Sequence, residues 1–371
     1  MNVRDRYLAV LRGEAVDRVP LLLKEFSAPA QSELDTIEDP LARELAVRVW
    51  EHTPAIVNWD SYVNRILVTP PRYMRVVKQE QRSDGVYTTT EIHTPKGTLT
   101  SVEAIKTGVF TSWHVKYPVT SRKDLDAIRS VPWEVPEEVR PVRKEELPWE
   151  FEEHNIMQTG VSSPMVCVAD MMPFEMFLEL CMTDLPLIEE LTEICAERIA
   201  DVMDVLFDGD EVDHLWMGGS EWLTPPMGSP RLYDALVFQQ ESRIIERAHR
   251  SGALCQVHCH GNVSGVLERI IESGADFLEP VEPPPDGDIT FAEAKRRAAG
   301  RIALGGNIEA RVLEHGEPAD VEAATRAAFE GGGRGMVLKT TAGPLTRLTE
   351  RMSRNYHRMV DIWEELSEEA L

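Results

Sequence analysis

The segment LCQVHCHGNVSGVLERIIESGADFLEPV, residues 254–281, contains the repeating unit that indicates how this chain folds. Two short apolar runs, at 254–260 and 276–281, flank an amphipathic stretch at 263–273. Apolar runs that alternate with amphipathic segments are typical of parallel strands joined by right-handed helical crossovers. The segment therefore predicts one strand–helix–strand unit of a parallel sheet.

The same alternation recurs along most of the chain and predicts eight strands. Predicted strands lie at 19–23, 55–59, 156–161, 212–218, 254–260, 276–281, 301–305 and 335–340. Predicted helices lie at 3–12, 38–52, 173–182, 185–207, 230–251, 263–273, 290–299, 318–330 and 346–368. Eight strands close a (β/α)8 barrel, so we expect a single α/β TIM barrel over residues 1–371. A doubly wound open sheet is the alternative, although no GxGxxG motif follows an early strand.

The pattern changes between residues 74 and 120. Alternating residues in RVVKQEQ and YTTTEIHT are separated by a turn at 83–85, and a second turn follows at 95–97. Alternation of this kind between short turns is typical of antiparallel hairpins. We expect an inserted β-hairpin segment within the barrel chain.

Composition narrows the class of protein. The 371 residues include 63 acidic and 39 basic ones, a formal net charge of -24, which disfavours nucleic acid and anionic membranes as partners. No apolar run approaches the roughly 20 residues of a membrane span, and the charged start has no signal core. Five cysteines without framework spacing favour reduced thiols. We expect a soluble cytoplasmic protein.

The run at 254–262 also carries candidate chemistry. Side chains alternate along a strand, so His258 and His260 share a polar face, about 7 Å apart. Cys255, Val257 and Cys259 share the apolar face that packs against helices. Two imidazoles at this spacing can bind one metal ion with a third ligand from elsewhere. The alternative is a pair of hydrogen-bonded core histidines.

Further candidates follow from the barrel geometry, because active sites of such barrels lie at the carboxyl ends of the strands. Polar residues at those ends include Asn58, Asp60, Asp170, Glu221, Glu279, Glu282, Asn307, Glu309 and Lys339. We expect Glu221, Asn307 and Lys339 to be catalytic or to contact substrate, with pairing to Glu309 as the alternative for Lys339. Four tryptophans are candidates either for a ligand pocket or for the core: Trp59, Trp113, Trp216 and Trp222.

Several segments together resemble the uroporphyrinogen decarboxylase (URO-D) superfamily over nearly the whole chain. They are Arg4-Asp5-Arg6, Leu11-Arg12-Gly13, Asp17-Arg18-Val19-Pro20, Thr94-Pro95-Lys96-Gly97 and Gly305-Gly306-Asn307-Ile308-Glu309. The superfamily includes zinc-dependent, corrinoid-linked methyltransferases and O-demethylase components. The resemblance implies a TIM barrel and leaves the reaction open.

Two departures set the chain apart from true uroporphyrinogen decarboxylases. Their arginine-rich segment after the first strand is here Lys24-Glu25-Phe26-Ser27-Ala28, which has no arginine to grip substrate carboxylates. Their Gly-His-Gly near the last strand is here Thr340-Thr341-Ala342-Gly343. The chain is therefore more similar to the methyltransferase-like branch.

The zinc motif of that branch, His-x-Cys-Gly, resembles His258-x-His260-Gly261, and no cysteine follows Cys259. The resemblance then implies two imidazoles plus a carboxylate or water, a nitrogen and oxygen ligand set.

Three carboxylates are candidates for the remaining metal position, in the order Glu282, Glu221 and Glu279. Glu282 precedes three prolines that would fix it at the mouth. Strand alternation places Glu279 and Glu282 on opposite faces unless Pro280 introduces a bulge.

The leading hypothesis is a metal-dependent methyltransferase or O-demethylase-like enzyme acting on a small molecule. Its metal would be a divalent transition ion, with zinc as the first candidate. Its partner would be a corrinoid carrier protein. One alternative is a decarboxylase of uroporphyrinogen or another carboxylated ring. A second is a non-catalytic corrinoid or tetrapyrrole binder. The oligomeric state is open, a homodimer included.

Overall fold

The computed structural model describes residues 1–108, 112–209, 211–344 and 346–371. Its strands, in chain order, are β1 Leu21–Leu22, β2 Ala55–Trp59, β3 Met74–Arg82, β4 Gly85–Thr94, β5 Gly97–Lys106, β6 Ser112–Lys116, β7 Asn155–Ser162, β8 His214–Gly218, β9 Leu254–His258, β10 Phe277–Glu279, β11 Ala303–Ile308 and β12 Met336–Thr340. They form two sheets, a parallel one of eight strands and an antiparallel one of four.

The parallel sheet runs in the order β1-β12-β11-β10-β9-β8-β7-β2. This is the order of an eight-stranded barrel opened between its first two strands. Every neighbouring pair in this order is parallel. The structure shows a curled α/β sheet with no ladder between β1 and β2 among the described residues, so closure into the barrel stays a prediction.

Helices cover the sheet. They are α1 Val3–Leu11, α2 Pro40–Val49, α3 Arg122–Arg129, α4 Val166–Ala169, α5 Phe174–Thr183, α6 Leu185–Leu206, α7 Pro230–Tyr233, α8 Gln239–Arg250, α9 Leu267–Glu272, α10 Phe291–Ala298, α11 Ala310–His315, α12 Pro318–Phe329 and α13 Glu350–Leu366. Strands β11 and β12 are buried at every residue, as expected for parallel strands with both faces covered. No helix in the described ranges is long and apolar enough to cross a membrane.

Helix α1 covers the end of the sheet at which the strands begin. Tyr7 is fully buried there and makes edge-on contacts with the rings of His214 and Phe277, at centroid distances of 5.9 and 6.1 Å. The side chain of Asn2 caps the helix by accepting from the Asp5 amide. With that end filled, the opposite end, where the strands terminate, is left for a functional site.

The antiparallel sheet has the order β3-β4-β5-β6 and falls within the predicted segment 74–120, of which residues 109–111 lie outside the described residues. Strand β4 begins at Gly85, close to β5, because a Cβ at this residue would lie 2.9 Å from the Cα of Lys106. Gly85 has a φ of +156°. Both features explain why glycine occupies this position.

The last helix is tied to the start of the first strand. The Val19 amide donates to the Ser367 carbonyl at 2.8 Å, and the Trp363 indole Nε1 donates to the Val19 carbonyl at 2.8 Å. Thr349 caps the start of helix α13, and its hydroxyl accepts from the Met352 amide. Strand β1 is therefore fixed by hydrogen bonds to the C-terminal part of the chain.

Several element bounds differ from the predictions. The helix predicted over 230–251 is interrupted by a π-helical turn at Asp234–Phe238, and the strand predicted at 301–305 runs over Ala303–Ile308. Helix Ala310–His315 was not expected, because the sequence marks that region only as a strand end. In each case the local pattern is too short to locate the boundary.

Candidate functional site

Two imidazoles lie side by side where β9 ends. The ring centroids of His258 and His260 are 4.6 Å apart, and the ring planes are inclined by 83°. The two side chains are 20% and 36% exposed, so both are accessible from the mouth of the sheet. The Cys259 amide between them donates to the Glu279 carbonyl at 3.0 Å, which holds the strand end in place. Both rings therefore lie on one side of the chain.

Each imidazole has a carboxylate at its Nδ1. His258 Nδ1 lies 2.6 Å from Glu279 Oε1, and His260 Nδ1 lies 2.8 Å from Glu282 Oε1. The second oxygen of Glu282 accepts from the Gly261 amide at 2.6 Å. A carboxylate at Nδ1 favours the tautomer in which Nδ1 carries the proton and Nε2 presents its lone pair. No described residue forms a hydrogen bond to either Nε2, so both are available to a ligand.

Glu279 is almost fully buried and is held by three partners. Lys339 Nζ forms an ion pair with Oε2, and Gln256 Nε2 and His258 reach Oε1. Burial alone would raise the pKa of Glu279, but the charge of Lys339 and the bond to His258 hold it well below the usual range. Lys339 therefore pairs with Glu279. The alternative pairing with Glu309 is wrong.

Glu279 and Glu282 both reach the imidazoles, although strand alternation predicts opposite faces for them. The reason is that β10 ends at Glu279, so the alternation does not continue to Glu282. Burial would raise the pKa of Glu282, but the hydrogen bond and charge of His260 lower it. Burial also opposes the charged form of His260, yet Glu282 raises the pKa of that imidazole.

One tryptophan belongs to this site. The Trp216 indole lies over His258, with centroids 5.1 Å apart and planes inclined by 37°. The other candidate tryptophans are elsewhere. Trp222 packs edge-on against Phe174, and Trp113 is 48% exposed on β6. Trp59 donates its Nε1 to the Arg140 carbonyl at 3.2 Å, so Trp216 alone among the four packs on an imidazole of the site in the described part of the chain.

Glu221 and Asn307 lie near the mouth without bonding to the imidazoles. Glu221 Oε2 accepts from the Gly219 amide at 3.1 Å, so this carboxylate fixes the turn after β8. Asn307 pairs in register with Lys339 and is 8% exposed. Among the described residues, neither Glu221 nor Asn307 forms a hydrogen bond with His258 or His260.

Residues 113–365 match the model of the uroporphyrinogen decarboxylase (URO-D) family. The chain belongs to this family. No curated protein matches the chain. Among solved structures, a methyltransferase from Methanosarcina mazei superposes with a TM-score of 0.62 at 16% identity, covering 99% of each chain. At that identity the likeness concerns the fold.

In this URO-D family chain a charged cluster lies near the end of β7, and the sequence indicates only one of its members, Asp170. His114, on β6, places Nε2 3.3 Å from Asp170 Oδ1, and Arg65 approaches the other oxygen of Asp170 at 3.8 Å. The bond to Asp170 raises the pKa of His114, although burial opposes it. A single histidine in a polar strand gives no signal of this contact, because its partner lies in another part of the sequence.

The two segments in which the chain departs from true uroporphyrinogen decarboxylases lie next to each other. Residues Lys24–Phe26 form a short 3-10 turn after β1, and a Cβ at Gly343 would lie 2.7 Å from Glu25 Cγ. Glu25 is exposed. This edge of the mouth therefore presents a carboxylate near the place where the family enzymes carry arginine.

The residues present fit two positions of a metal site. Imidazoles that bind metals usually donate their second nitrogen to a carboxylate, which is the arrangement of His258 and His260. In the described part of the chain, however, no three His, Cys, Asp or Glu side chains are grouped to hold an ion. Cys259 is fully buried, and burial raises the pKa of its thiol. Any ion would thus need water or substrate, or a reoriented carboxylate, to complete its ligands.

Proposed function

We propose that this URO-D family protein is a metal-dependent enzyme that transfers a methyl group, as a methyltransferase or an O-demethylase-like enzyme. The Nε2 atoms of His258 and His260 would hold one divalent transition ion, zinc first. The observation that carries the proposal is the pair of neighbouring imidazoles, each fixed at Nδ1 by its own carboxylate. Glu282 is the first candidate for a third ligand, provided that its carboxylate turns away from His260 Nδ1 and the Gly261 amide. Water is the alternative.

The surrounding residues would prepare the site for its ligand. Glu279 and Glu282 hold the imidazoles in the tautomer that leaves Nε2 unprotonated. Lys339 keeps Glu279 ionised, so Glu279 can go on accepting from His258. A bound ion would supply Lewis acidity, which lowers the pKa of a thiol or hydroxyl or polarises an ether oxygen. The indole of Trp216 provides an apolar wall beside His258.

Methyl transfer is favoured over decarboxylation by charge. A ring that carries several carboxylates needs cations at the mouth. The exposed Glu25 stands at the edge beside Gly343, and Lys339 is buried in its pair with Glu279. The formal net charge of -24 adds a further repulsive contribution.

The proposal has two further parts, the closure of the barrel and the molecules that take part in methyl transfer. We infer that the curled sheet closes into a (β/α)8 barrel by packing between β1 and β2, since its strand order is that of such a barrel. We also propose a small-molecule substrate and a corrinoid carrier protein as the partner in methyl transfer. The match to the URO-D family, a family of TIM barrels, supports the closure of the sheet.

Metal analysis tests the proposal directly. The purified chain is stripped with a chelator, reconstituted in turn with Zn, Co, Mn and Fe, and analysed for bound metal. About one equivalent is expected. His258→Ala and His260→Ala should each lose the ion, whereas Cys259→Ala, the matched control between them, should keep it. Absence of bound metal after every reconstitution would refute the metal-dependent function.

Activity assays separate the remaining candidates. The metal-loaded enzyme is given methylated substrates with thiol or corrinoid acceptors, and methylated product is measured. Release of carbon dioxide from a carboxylated ring by the metal-free protein would instead favour the decarboxylase. Tight tetrapyrrole or corrinoid binding without turnover would favour a binding protein.

A further inference from the structure

A cavity of about 250 Å³ lies beside the mouth of the sheet, outside the imidazole pair. Its walls are largely apolar and come from four different parts of the chain. The loop after β10 contributes Pro283 and Pro284, α10 contributes Phe291, α11 contributes Val312, and α12 contributes Ala324. The volume is below that of sites for drug-sized ligands, so the cavity suits a molecule of only a few heavy atoms.

One buried carboxyl in this cavity is short of hydrogen-bond donors. Glu309 lies at the junction of β11 and α11 and is only 7% exposed. Its Oε1 has no N–H or O–H donor among the described residues, its Oε2 has only the Thr341 hydroxyl at 3.4 Å, and the carboxyl group lies against that of Asp286. A buried carboxyl oxygen without a donor costs free energy that a bound ligand can recover.

The charges around Glu309 favour a positive ligand. The nearby Arg311 is already engaged, because its Nε donates to Asp286 Oδ2 at 2.6 Å. Burial, the charges of Asp286 and Glu282 and the hydrogen bond with Asp286 together raise the pKa of Glu309 to about 7, against the opposing effect of Arg311. The exposed Glu330 adds another carboxylate to the lining. An anion would be repelled by these carboxylates.

We propose that this cavity binds a small organic cation, a primary ammonium with a short apolar body. The ammonium would donate to the carboxyl group of Glu309, and the Asn307 amide is a further polar group in the cavity wall, as are Thr290 and Arg311. The apolar body would lie against Phe291 and Val312. This site requires no metal and does not depend on the proposed methyl transfer.

Three probes with the same carbon chain test the proposal on the full-length protein: n-butylammonium, 1-butanol and butyrate. Binding is followed by isothermal titration calorimetry and saturation-transfer NMR. A ligand of this size is expected to bind with a dissociation constant in the roughly millimolar range. Butanol can donate a hydrogen bond but carries no charge, so it should bind at least about tenfold more weakly. Butyrate should not bind.

Variants locate the site. Glu309→Gln keeps the shape and removes the charge, and it should weaken n-butylammonium binding by at least about tenfold. Glu330→Gln is the matched control, and its exposed, solvent-screened charge should matter less than about threefold. Ala324→Leu should abolish binding by filling the cavity. The unfolding midpoint shows whether the Glu309→Gln variant is folded. If it is not, Ala324→Leu still tests the binding site independently.

Three results would overturn the proposal. One is that n-butylammonium does not bind the wild-type protein, which would mean that Oε1 is satisfied by water or by a proton shared with Asp286. Another is that butanol or butyrate binds as tightly as n-butylammonium. The third is that a correctly folded Glu309→Gln or Ala324→Leu variant keeps the wild-type affinity.

Discussion

Glu279 stays ionised in a buried position because Lys339 supplies the opposite charge and His258 and Gln256 complete its hydrogen bonds. A buried pair of this kind adds little stability compared with apolar side chains of the same size. Losing one partner is far more costly, since the other is left buried and unpaired. The pair thus serves the orientation of His258 more than the stability of the fold.

Lys339→Met should therefore destabilise the protein by about 3–5 kcal/mol, because it leaves Glu279 charged without its cation. The free energy of unfolding is measured by urea titration. Adding Glu279→Gln to the variant removes the unpaired charge and should restore more than half of the loss. A loss below about 1 kcal/mol in the single variant would contradict the buried pair.

Cys259 lies between the two imidazoles but is fully buried on the opposite side of the chain. Cys259→Ala should lower the free energy of unfolding by about 1 kcal/mol, as a small apolar loss. The metal content after reconstitution should stay unchanged. Loss of metal from the folded variant would show that the thiol is a ligand.

At the scale of the elements, the sequence predicts what depends on local pattern. Helix 185–207 is observed as Leu185–Leu206 and strand 55–59 as Ala55–Trp59, because an unbroken apolar period or a short apolar run between polar flanks specifies each of them. The sequence could not predict that Glu279 and Glu282 both reach the imidazoles. Strand alternation does not indicate where a side chain points once the strand has ended, and β10 ends at Glu279. The bonds of Glu279 to Lys339 and of His114 to Asp170 join distant segments, which periodicity does not relate.

Helix α8 follows the π-helical turn and carries a buried carboxyl, Glu241, that is 2% exposed. Burial raises the pKa of Glu241 from 4.5 to about 8. The folded protein therefore keeps a proton that the unfolded chain loses above pH 4.5. Stability should decrease as pH rises from about 4.5 to about 8, by roughly 1.4 kcal/mol per unit of pKa difference.

Glu241→Gln removes this dependence. The free energy of unfolding of the variant relative to wild type should increase across that pH range and become constant above about pH 8. Glu246→Gln, at an exposed position of the same helix, is the control and should leave the wild-type profile unchanged. A Glu241→Gln profile parallel to that of wild type would show that the carboxyl is already ionised in the folded state.

The charge of the whole molecule is strongly unbalanced, with 63 acidic and 39 basic residues. Self-repulsion at a net charge of -24 opposes the compact state, and salt screens it. The thermal midpoint should therefore rise by a few degrees between about 0.01 and 0.5 M potassium chloride, measured by calorimetry at pH 7. A falling midpoint would mean that surface ion pairs, which salt also weakens, outweigh the repulsion.

The first strand of the parallel sheet pairs with the last one, Leu21 with Leu338 and Leu22 with Lys339. During synthesis, β1 leaves the ribosome long before its partner exists. At ordinary rates of translation that interval is on the order of tens of seconds. Throughout it the apolar residues around Leu21 lack the neighbour that buries them, so the nascent chain has to be kept from aggregating. Completion of this sheet is then an event that follows synthesis, and a truncated chain lacking β12 should be retained by chaperones rather than released as a folded fragment.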